Sequence, residues 1–131
     1  MSAKLKLTGF QRECIEHALG GDYEYEAYED RGDLTAEQCE DAHSWIWDRV
    51  RIPYGGSRSE EKWRPITITI PADMIEAVWY VLDNAVDAST MLADGYMYGE
   101  VHGVPEGLAD AIVERTKYLI EKKIEALRAV A

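Results

Sequence analysis

Four side chains have the types and spacings of a metal site. Cys14-x-x-His17 and Cys39-x-x-x-His43 each set a thiol and an imidazole about one helical turn apart. Two such helices side by side would close a tetrahedral Cys2His2 zinc centre. The competing expectation is that all four line a core between helices, with cysteine acting as a small apolar residue. Helical spacings are weaker evidence than paired CxxC knuckles, so the core reading is preferred and no metal or cofactor is expected.

Acid–base catalysis needs carboxylates whose surroundings push their pKa values apart, and the sequence shows only long polar faces. His102, near Gly99, Glu100 and Gly103, reads as a solvated loop histidine. No G-x-S-x-G, Walker or dinucleotide fingerprint is present. A non-enzymatic protein is the expectation.

A third constellation is basic. Arg49, Arg51, Arg58, Lys62 and Arg64 gather around Tyr54, Gly55, Gly56 and Trp63. Glycine amides, arginines and an aromatic ring suit a phosphate or a nucleotide base. This loop is the alternative site, for a nucleotide or another phosphorylated ligand. Against it, cations beside so acidic a body pair internally or relieve its self-repulsion.

The fourth constellation is acidic and carries the leading reading. The net charge is −11, and its excess is local. Asp22, Glu24, Glu26, Glu29, Asp30, Asp33, Glu37, Glu40 and Asp41 follow one another with Arg31 as the one cation among them. No Lys or Arg occurs between Arg64 and Arg115. Tyrosines are threaded through both stretches. On helices, Asp73, Glu76, Tyr80, Asp83 and Asp87 share one face, and Glu37, Asp41, Ser44 and Asp48 share another. Carboxylates one turn apart repel by a few tenths of a kcal/mol per pair, a cost accepted here repeatedly. Tyrosine is a frequent interface anchor. The partner-binding residues expected are Asp22, Tyr23, Glu24, Tyr25, Glu26, Tyr28, Glu29 and Asp30, with a second patch at Glu76, Tyr80, Asp83 and Asp87.

The elements that must hold these groups follow from periodicity. Lys4-Leu5-Lys6-Leu7 alternates like a strand, and Thr8 with Gln11 forms a capping box for a helix with Phe10, Cys14, Ile15, Ala18 and Leu19 on its apolar stripe. Residues 22–31 read as a short helix stopped by Gly32. Thr35 and Gln38 form a second capping box, opening a helix to about Arg51 that buries Cys39, Ala42, His43, Ile46 and Val50. Ile66 to Ile70 is β-branched and alternating, a strand. Pro71 and Pro105 begin helices. The first buries Ile75, Val78, Trp79, Leu82 and Val86; the second buries Leu108, Ile112, Leu119, Ile124 and Leu127. On the last helix Glu114, Lys117, Glu121, Lys122, Glu125 and Arg128 mix signs, as on a solvated face or the flank of a homodimer seam.

These elements predict a mainly α (α+β) fold, with four to five helices and a small two-stranded β-sheet. One domain is expected over 1–131. Aligning Leu5 with Ile68 and Leu7 with Ile70 suggests a strand-helix-helix repeat, halves 3–51 and 66–130, joined by the basic loop 52–65. At 131 residues, 47% apolar and 30% charged, the chain can bury one core. It has no apolar run of the roughly 18 residues a membrane helix needs. The start lacks the apolar stretch of a secretory signal, so a cytoplasmic location with reduced cysteines is expected. Direct nucleic-acid binding is disfavoured by the charge. In size, acidity and compactness the chain resembles small phage accessory or inhibitor proteins, including anti-CRISPR-type nucleic-acid mimics. That resemblance implies a basic partner, itself a nucleic-acid-binding protein, and carries over no functional residue.

Overall fold

Each strand buries alternate side chains. Ala3, Leu5 and Leu7 point into the core from β1 (Ala3–Leu7), and Ile68 and Ile70 do so from β2 (Ile66–Ile70), while Lys4, Lys6, Thr67 and Thr69 face out. The two strands pair antiparallel, with Leu5 opposite Ile68 at the centre. The computed structural model of the protein describes residues 2–20, 28–51, 64–88 and 105–130.

Four helices accompany the strands among the described residues: α1 (Gly9–Gly20), α2 (Ala36–Val50), α3 (Ile75–Ala88) and α4 (Glu106–Val130). Both capping boxes form. Thr8 Oγ1 accepts from Gln11 N while Gln11 Oε1 accepts from Thr8 N. Thr35 and Gln38 do the same at the start of α2. Pro71 precedes a short 3-10 turn, Ala72–Met74, that leads into α3. No described helix is long and apolar enough to cross a membrane.

Among the described residues the element order is β1, α1, α2, β2, the 3-10 turn, α3 and α4. The centre of the strand pairing falls on Leu5 and Ile68, the residues that the alignment of the two halves equates. The helices are less alike, since α2 spans 15 residues and α4 spans 25.

One core joins the layers. Helices α1 and α4 cover β1, α3 packs between α2 and α4, and α1 leans on both α2 and α3. Leu5, Leu7, Ile15, Ile46, Ile70, Ile75, Val78, Leu82, Ile120 and Ile124 form its fully buried centre. On α4 the buried stripe is Thr116, Ile120, Ile124 and Leu127. Leu108, expected in the core, is 56% exposed. It lies about a third of a turn round the helix from that stripe, because 3.6 residues per turn carries the side chain away over three turns. Phe10 and Trp79 are half-buried against the core, and the side chain of Val86 lies outside the described residues.

Two polar side chains are buried in α1 where the periodicity predicted none. Arg12 is 6% exposed and donates from Nε to the Val50 carbonyl at 2.9 Å and from Nη2 to the Arg51 carbonyl at 3.0 Å. These are carbonyls at the end of α2, where helical partners run out and cations are favoured. Gln11 Oε1 also accepts from Lys123 Nζ of α4 at 2.6 Å, and the same ammonium donates to the Lys6 carbonyl at 2.6 Å. Burial lowers the pKa of Lys123.

Candidate functional site

The short-helix expectation for 22–31 is corrected over its described part. Tyr28, Glu29 and Asp30 are not helical, and Arg31 and Leu34 close a two-residue turn with both backbone bonds made, at 2.7 and 2.9 Å. Gly32 takes φ 57° and Asp33 does not have positive φ. Positive φ at the first central position alone is the type II′ pattern, which selects glycine there. Gly32 thus marks a tight reversal, not a helix end. Residues 22–26, including Asp22, Tyr23, Glu24, Tyr25 and Glu26, lie outside the described residues.

From this turn Tyr28 reaches inward. Its hydroxyl is 2.8 Å from Nδ1 of His43, and Nε2 of His43 is 3.1 Å from the Leu19 carbonyl. A carbonyl only accepts, so Nε2 carries the proton and donates to Leu19. Nδ1 of the neutral ring is then an acceptor, and the Tyr28 hydroxyl donates to it. Burial lowers the pKa of His43, against a smaller upward pull from the Leu19 hydrogen bond, which keeps the ring neutral at pH 7. Leu19 is in the last turn of α1, so His43 caps that helix end. Helices α1 and α2 therefore cap one another: Arg12 serves the end of α2 and His43 the end of α1.

Three of the four candidate zinc ligands have described side chains, Cys14, Cys39 and His43. Both ring nitrogens of His43 are hydrogen-bonded, and Cys14 and Cys39 are buried core thiols. Burial, then the Glu13 carboxylate, pushes the Cys14 thiol up to about 12. Burial also raises Cys39, opposed by Arg31. The side chain of His17 lies outside the described residues. No group of three or more metal-ligating side chains occurs among the described residues.

The described part of the first acidic patch meets the second at Tyr28 and Tyr80. The Tyr28 ring lies edge-on to Tyr80 of α3, with centroids 6.3 Å apart and planes at 62°. Arg31 binds the same Tyr80 twice: Nη1 donates to the hydroxyl at 2.8 Å, and the guanidinium stands 4.9 Å from the ring centroid. In the segments that carry these residues, Glu29, Asp33, Glu76 and Asp73 are exposed, and Asp83 is half-buried. The predicted outer face of α2 is also exposed at Glu37, Asp41, Ser44 and Asp48, while Cys39, Ala42 and Ile46 are buried behind it. Asp30 has a structural task as well. Its Oδ1 accepts from Ala36 N at 2.8 Å, adding a carboxylate to the start of α2. The side chain of Asp87 lies outside the described residues.

Of the basic constellation, Tyr54, Arg58, Lys62 and Trp63 lie outside the described residues. Arg49 folds back on its own helix, 3.8 Å over the Trp45 ring and donating to the Trp45 carbonyl at 2.9 Å. The Arg51 carbonyl takes its bond from Arg12, and Arg64 is exposed. Sequence reasoning passed over Arg31 and Arg12. For Arg31 a signal existed, since a lone cation inside a long acidic run invites the question of what it binds. For Arg12 none did, because its partners are backbone carbonyls far along the chain.

Comparison with protein-family models, with curated proteins and with solved structures finds no match. The surface is therefore read from its own geometry: two tyrosine rings in contact, one arginine on Tyr80, and exposed carboxylates on the same chain segments.

Proposed function

We propose that this is a non-catalytic binding protein that docks the acidic surface around Tyr28 and Tyr80 onto a basic protein. The observation that supports the reading is the Tyr28–Tyr80 contact, which brings together one tyrosine from each of two acidic stretches distant in sequence. Exposed carboxylates flanking half-buried tyrosines fit a partner whose positive groove ordinarily receives nucleic acid. An inhibitor of the phage accessory type, occupying that groove in place of phosphate, is the particular form proposed. Charge steering makes such association fast and sensitive to salt, because exposed charges are screened beyond about 10 Å at 0.1 M and about 3 Å at 1 M.

Charge reversal at exposed positions tests this. Glu29→Lys with Glu76→Lys alters two exposed carboxylates and leaves Asp30, which caps α2, in place. Glu121→Lys with Glu125→Lys makes the same charge change on α4. Capture from host lysate at low and high salt, followed by titration of the captured protein, should show binding lost in the first variant and kept in the second. Equal binding by both variants, or capture indifferent to salt, would remove the proposal. Circular dichroism must show both variants folded, since Glu76 also favours the first turn of α3.

A further inference from the structure

We infer that Tyr80, backed by Tyr28, is a guanidinium site which Arg31 fills from within, and that the partner's anchor is an arginine that takes Arg31's place. The inference rests on the proposed docking of this surface onto a basic protein. It adds what the surface grips.

Arg31 itself shows how the ligand is held. Its guanidinium uses the Tyr80 ring face, at 4.9 Å, and the Tyr80 hydroxyl, at 2.8 Å, together. A planar fork satisfies both contacts at once; a lysine ammonium, a point charge, satisfies one or the other. Tyr28 stiffens the arrangement. Its hydroxyl is committed to His43, so its ring is fixed where it meets Tyr80 edge-on at 62°. Arg31 is an exposed residue on a two-residue turn whose backbone is held by its own bonds to Leu34. Its side chain can therefore leave Tyr80 while the turn persists. Glu29 is near enough to act on the charge of Arg31, and Glu76 sits one helical turn before Tyr80. Those exposed carboxylates would attract an incoming arginine. The occupant is fixed by charge complementarity: a cation already fills the site, and the surrounding surface is acidic.

The test uses the intact protein with two probes, a nona-arginine and a nona-lysine peptide, titrated at low salt by fluorescence anisotropy. Removing the internal competitor with Arg31→Ala should tighten nona-arginine binding roughly two- to fivefold, and change nona-lysine binding less. Arg51→Ala, which removes the same charge elsewhere, should shift both peptides equally. Tyr80→Leu should erase the preference for arginine, and Tyr80→Phe, which keeps the ring, should retain part of it. The inference is overturned if Arg31→Ala gains no more than Arg51→Ala, or if the preference survives Tyr80→Leu. It fails alone if Glu29→Lys with Glu76→Lys still weakens both peptides. If that double reversal leaves binding unchanged, or no variant binds either peptide, the docking surface falls with it.

Discussion

Replacing Arg12 by Met should destabilise the protein by about 3 kcal/mol. The side chain is buried and donates two charge-assisted hydrogen bonds to carbonyls at the end of α2, at 2.9 and 3.0 Å. Val50 is fully buried, so its carbonyl finds no easy substitute donor, and that bond is worth roughly 1.5–3 kcal/mol. Arg51 is exposed, so water can replace much of the second bond, which leaves about 0.5–1 kcal/mol there. Loss of a cation at the helix C-terminus adds about 0.3–1 kcal/mol. Methionine recovers about 1 kcal/mol, because an apolar side chain avoids the desolvation of a buried charge. For a chain of this size 1 kcal/mol corresponds to about 4 °C, so Tm should fall by about 12 °C. Urea unfolding followed by circular dichroism should show a lower midpoint with an unchanged slope. Arg12→Lys, which keeps the charge but not the fork, should lose about half as much. A loss below about 1 kcal/mol in Arg12→Met would refute the account of α2's end.

Two further outcomes follow from buried groups. The pKa of His43 is lowered by burial, so the unfolded chain binds a proton there before the folded one does as pH falls. Stability from the neutral ring is thus complete above the unfolded pKa of about 6.5 and declines below it, by up to about 1.4 kcal/mol per pH unit, until the folded pKa is passed. Wild type should lose more stability than His43→Gln between pH 7 and 5; an NMR titration placing His43 at or above 6.5 would contradict this. The Cys14 thiol, pushed up to about 12 by burial, should react with an aromatic disulfide reagent only after urea is added. Fast modification of Cys14 in the native protein would show that the α1 core face is open.

What the sequence determined by itself is local. Capping boxes at Thr8 and Thr35 are written within four residues, and both form. Alternation in Leu5–Leu7 and Ile66–Ile70 specified two one-sided strands, whose backbone groups need partners, and among the described residues the two strands pair with each other. The exposed face of α2 at Glu37, Asp41 and Asp48 was equally legible, since helical period alone sets it opposite Cys39 and Ile46. Tertiary structure decided whatever depends on residues far apart. Tyr28 and Tyr80 belong to separate acidic stretches in the sequence, and only the packing of α3 against α2 joins them. His43 was readable as an apolar-face histidine, but its ring is committed by a carbonyl of α1 and a hydroxyl beyond the Gly32 turn. Arg12 lies on a face that composition would assign to water, and it is buried because the end of another helix needs a donor. Periodicity records which side of an element is covered. It does not record which unsatisfied backbone group will arrive on that side, and here those groups hold α1 and α2 together beneath the candidate site.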